Sequence, residues 1–161
     1  MPPWYARGMN AGRYGPLGTL LLLVPLWGCA ASVPPHLLLP EATPVSLSEL
    51  AARYPLPPDK PVRAERLGAT AHVSYHLVQL QPGAGERPHL HAQHDLIALL
   101  LAGHGTQWVG ERAYPMETGD SVVIPSGTPH HFVNTGEEPA AALVIFSPPY
   151  DGTDQVFLDK P

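Results

Sequence analysis

The stretch Gly119-Asp120-Ser121-Val122-Val123-Ile124-Pro125-Ser126-Gly127-Thr128-Pro129-His130-His131-Phe132-Val133-Asn134 decides the fold of this chain. Gly119 and Asp120 make a tight turn into Val122–Ile124, an apolar run that reads as a strand buried on both faces. Pro125 ends that strand's pairing, because proline has no ladder hydrogen bond to donate. Gly127 lets the chain turn sharply, so the next strand returns with His130 facing inward. Along a strand, side chains two or four residues apart share a face. Asn134 therefore lies on the His130 side, where its carboxamide is expected to brace the turn rather than bind metal. His131 faces the other way.

Upstream, Pro88-His89-Leu90-His91 carries the same period. His89 and His91 can aim into one cavity, and His130 from a distant strand can complete a three-nitrogen site. Imidazole is a common ligand of Zn, Cu, Fe and Ni, so a divalent transition ion (Fe, Zn, Mn, Ni or Cu) is the expected cofactor.

The remaining chain suits such a scaffold. Its 161 residues are enough for one domain with a real core. Fifteen glycines and 21 prolines punctuate it, as in short strands joined by turns. With 44% hydrophobic and 14% charged residues it is not a disordered composition. The net charge is -5 and no basic cluster occurs, which argues against a nucleic-acid partner. Apolar runs at Ala71–Leu80, Asp95–Leu101, Gly105–Val109, Val122–Pro125, His130–Asn134 and Ala141–Phe146 alternate with Gly- and Pro-bearing turns. That spacing predicts an all-β sandwich or barrel, its first and last thirds facing each other. Before it, Ser46-Leu47-Ser48-Glu49 has the form of a capping box, which predicts a short helix through about Tyr54.

The first 29 residues read as an address. Arg7 and Arg13 precede an apolar run from Leu17 to Leu26, too short to span a bilayer, and Leu26-Trp27-Gly28-Cys29 closes it. All 14 acidic residues and all 9 histidines come later. The ending resembles a bacterial lipoprotein signal, with Trp27 departing from the usual small residue. It implies a signal peptide over 1–28 (translation starting at Met1 or Met9), a lipidated Cys29 as the membrane partner, and a location at the cell envelope. Residues 29–45, proline-rich and without periodicity, read as a disordered tether that includes His36. The folded domain is expected over 46–161.

On these residues the chain resembles the cupins, small jelly-roll barrels also described as double-stranded β-helices. The second cupin motif, G-x5-P-x-G-x2-H-x3-N, is matched at Gly119, Pro125, Gly127, His130 and Asn134. The first motif, G-x5-H-x-H-x3-4-E-x6-G, is matched at Gly83, His89, His91 and Gly103, but its glutamate position falls on Leu96. The resemblance covers about residues 71–148. It implies metal ligation by His89, His91 and His130. Two substitutes for the glutamate remain open. His94 shares a face with Leu96 and could be a fourth ligand at the mouth, while Asp95 would enter only through a shifted register and is expected outside or at the rim.

Without a carboxylate in the ligand set, three neutral imidazoles leave the ion its full charge, which favours a small anionic metabolite at an open position. Three functional readings compete: a metal-dependent enzyme, a metal- or small-ligand-binding module without turnover, and a structural cupin without metal. Asp95 and Glu86 are the nearest carboxylates on the first motif, and neither is an obvious acid–base partner. Self-association into a homodimer is left open.

Overall fold

The computed structural model describes residues 44–159. The expected signal peptide, most of the tether, His36 and Cys29 lie outside the described residues. Among the described residues no helix is long and apolar enough to cross a membrane.

Helix α1 spans Leu47–Arg53, and the capping box forms as the sequence predicts: Ser46 Oγ accepts from the Glu49 amide while the Glu49 carboxylate accepts from the Ser46 amide. Ten strands follow: β1 Val62–Ala69, β2 Ser74–Leu80, β3 His89–His91, β4 Asp95–Ala102, β5 His104–Val109, β6 Arg112–Glu117, β7 Ser121–Ile124, β8 His130–Asn134, β9 Ala140–Ser147 and β10 Gln155–Phe157. They form two antiparallel five-stranded sheets, ordered β1-β2-β9-β4-β7 and β10-β3-β8-β5-β6. This is the expected all-β jelly roll.

The period-2 pattern sorts each strand between the two faces. His76, Val78 and Leu80 of β2 turn inward, as do Leu96, Ala98 and Leu100 of β4. Leu80, Leu100, Met116, Phe132 and Ala140 pack one end of the interior shut. On the outer side of the first sheet, α1 lays Leu50 against Leu67, Leu77 and Ala141. The other end of the interior stays open and carries the histidines.

Three expectations need correction. The sheets extend beyond residues 71–148, since β1 and β10 are integral to them. Val62–Ala69 carries Arg63, Glu65 and Arg66 without clean alternation, so its strand character comes from pairing with β2 rather than from local pattern. The first and last thirds of the predicted span face each other only in part: β2 meets β8 across the interior, but β2 and β9 are hydrogen-bonded neighbours in one sheet. Finally, β7 is an edge strand with Val123 65% exposed, not a strand buried on both faces.

Candidate metal centre

The turn chemistry read from the sequence sets the site. Gly119 and Gly127 hold φ of 98° and 73°, a region that glycine enters without steric cost. The Gly127 amide donates to the His91 carbonyl at 2.7 Å, tying the second motif to the first. β8 then pairs His130 directly with His89. Asn134 is fully buried and braces the far end: its Nδ2 donates to the carbonyls of Leu80, Gln81 and Glu138, and its Oδ1 accepts from the Gly136 amide. It takes no part in the metal centre.

His89, His91 and His130 are buried and offer nitrogens within 4.8 Å of one another. Each Nδ1 is already engaged. His89 Nδ1 donates to the Arg87 carbonyl at 2.8 Å, His130 Nδ1 to the Thr128 carbonyl at 2.9 Å and His91 Nδ1 to Asp154 at 3.0 Å. A carbonyl or a carboxylate can only accept, so the proton sits on Nδ1 and the Nε2 lone pair of all three rings is left for an ion. Burial holds His91 below the ordinary histidine value and His130 at about 4, against the opposing pull of their acceptors. Near neutral pH these two rings are therefore in the neutral, ligating form. The donor set fits a divalent transition ion.

At the vacant glutamate position the structure places a leucine. Leu96 faces the cavity and is buried, so no carboxylate enters there. Asp95 is exposed and accepts from the Ser126 amide at 2.8 Å. His94 is buried but stands apart from the cluster, with its Nδ1 donating to Asp154 at 2.6 Å. His131 faces outward, stacked on Trp108 with ring centroids 5.8 Å apart.

Several site residues escaped the sequence. Asp154, on the strap leading into β10, bridges His91, His94 and the Gln93 amide. Burial alone would raise its carboxyl, but the bonds from His94, Gln93 and His91 win and hold it at about 2. Glu86, which the sequence left without an obvious acid–base role, lines the cavity. One of its oxygens accepts from the Phe132 amide at 3.0 Å, and burial raises its carboxyl despite the pull of His89 and that amide. Gln107 spends its amide nitrogen on the Trp108 and His131 carbonyls, leaving its oxygen for the cavity. His76, Phe146 and Tyr150 form the aromatic wall beside His91. The cavity is about 120 Å³, room for a small molecule.

A two-sheet jelly roll with three inward histidines at its open end presents a ligand set that could hold a metal ion on a β scaffold. The family model of the cupin domain matches residues 76–146. An uncharacterized protein of Aquifex aeolicus is 38% identical over 94 residues, which are 58% of this chain and 75% of that relative. Among solved structures, TT1209 of Thermus thermophilus aligns at 27% identity and TM-score 0.57, over 66% of this chain and 98% of that one. KdgF of a Halomonas species aligns at 25% identity and TM-score 0.54, over 56% and 82% respectively. The chain belongs to the cupin family.

Proposed function

We propose that this cupin binds a divalent transition ion through His89, His91 and His130 and takes a small anionic metabolite at the ion's open position. The observation that carries the reading is the set of three Nδ1 acceptors, which turns three Nε2 lone pairs inward at once. A bound ion would supply a Lewis-acidic position. The residues around it do the rest. Leu96, Phe146 and Tyr150 limit water, and Glu86 is a cavity carboxyl able to hold a proton. Glu86 is the feature that favours turnover over passive binding. Elemental analysis of protein purified without added metal tests the first half: one mole of transition metal per chain is expected, and a clean blank would leave a cupin without metal.

Leu96→Glu tests the anion half. The substitution gives up about 1.5–3 kcal/mol of leucine burial and places a charge beside the ion. We expect a less stable apo protein, metal binding kept or tightened, and small carboxylates such as acetate bound several-fold more weakly. Unchanged acetate affinity would show that the ion's uncompensated charge does not drive anion binding.

We also propose that the protein works at the cell envelope as a lipoprotein, on the strength of Leu17–Leu26 followed by the sole cysteine. Cys29→Ser is expected to accumulate as unprocessed precursor. Normal processing of that variant would remove the lipid anchor from the account.

A further inference from the structure

Arg66 of β1 takes no part in the metal centre, but its register gives it a place on the same interior. Residues paired directly across an antiparallel ladder point to the same face. In the register of β1 with β2, Val62 pairs with Leu80, Ala64 with Val78 and Arg66 with His76. Leu80 belongs to the closed core, whereas Val78 and His76 line the cavity. Arg66 therefore starts from the interior face, at the His76 end and away from the closed core, outside the set of residues that line the cavity itself. A register shift follows it immediately, a bulge of the kind that re-aims a side chain.

Among the described residues the Arg66 guanidinium meets no acid. Arg63 pairs with Glu65 at 3.1 Å and Arg87 approaches Asp159 at 3.8 Å, but among the described residues Arg66 makes no ion pair. Its Nε is buried and, among the described residues, has no hydrogen-bond partner. A buried donor without an acceptor is costly, and a guanidinium is built to meet a carboxylate. His76, the ladder partner of Arg66, lines the cavity that holds the three histidines. Its Nε2 is occupied by Ser74 Oγ at 3.1 Å, which leaves His76 a wall between the two rather than a third anion partner.

We propose that Arg66 supplies a second anion-binding group beside the cavity and that the ligand is a short dicarboxylate, one carboxylate at the ion held by the three histidines and the other reaching the Arg66 guanidinium. The proposal rests on the metal-and-anion reading above and names the ligand class for it.

The test uses cobalt(II)-loaded protein, whose visible spectrum reports a carboxylate reaching the ion, with cobalt content measured separately. Malonate, succinate and glutarate are titrated beside the monocarboxylates of equal length, propionate, butyrate and valerate. At least one dicarboxylate should bind about tenfold more tightly than its partner, the gain expected of one further charge-assisted pair. Arg66→Gln should drop that dicarboxylate to the monocarboxylate level, Arg66→Lys should keep part of the preference, and Arg53→Gln, on the exposed helix, should leave it unchanged. No preference in the wild-type protein overturns the assignment without requiring any variant to fold. Equal loss of both ligand types in Arg66→Gln overturns it too, because a general field is then at work. Failure to take up cobalt would overturn the metal reading itself, and is told apart by the metal content.

Discussion

Replacement of His130 by alanine is expected to abolish metal uptake at micromolar metal, while His131→Ala keeps it. The two residues are chain neighbours with opposite fates. His130 turns inward beside His89 and holds its Nδ1 proton on the Thr128 carbonyl, whereas His131 lies on the outer face against Trp108. Removing one of three neutral ligands leaves two, too few for the sites with three protein ligands that keep one position open. Stability gives an independent readout. A ligand held at a thousand times its dissociation constant stabilises the folded state by about 4 kcal/mol, so the wild-type melting temperature should rise clearly with saturating metal and that of His130→Ala should not. Burial holds His130 at about 4, so protons compete for its Nε2 only well below neutral pH. If His130→Ala still takes up one equivalent of metal, or His131→Ala loses it, the three-histidine centre is wrong.

What the sequence disclosed depends on how far apart the cooperating residues lie. Gly119, Pro125, Gly127, His130 and Asn134 act within a single strand–turn–strand unit, where backbone conformation and period 2 suffice to place each of them. The same period puts Leu96 inside and Asp95 outside, as the structure has them. Glu86 lies only three residues before His89, yet it sits on the irregular approach to β3, where no period says which way a side chain points. Arg66 occupies a strand whose local sequence does not alternate, and only its register with β2 reveals its face. Asp154 is 60 residues from His94 in sequence, and only the pairing of β10 with β3 brings the two together. Contacts of that separation come from the closing of the two sheets, and no local pattern announces them.

Asp154→Asn is expected to weaken metal binding about 10- to 100-fold, the usual cost of losing a group that orients a ligand. Both oxygens of the carboxylate are committed, Oδ1 to His91 and Oδ2 to His94 and the Gln93 amide, and the side chain is almost fully buried. An asparagine offers one oxygen and one NH₂ in their place. Whichever way it turns, one hydrogen-bond donor meets another unless a ring changes tautomer. A His91 that moves its proton to Nε2 points a hydrogen at the ion's position and ceases to be a ligand. The carboxylate would also place a negative charge one hydrogen bond behind a bound ion, on a site where Leu96 stands in place of a charged ligand. His94→Ala separates this role from simple packing: it removes one partner of Asp154 but leaves His91 oriented, and should cost metal affinity much less. Competition with a chelator of known affinity measures both variants, and thermal melts of the apo proteins show what each change costs the fold alone. Metal affinity within about threefold of wild type in Asp154→Asn would mean that the His91 tautomer is set without the strap, and that β10 closes the sheet without tuning the ion.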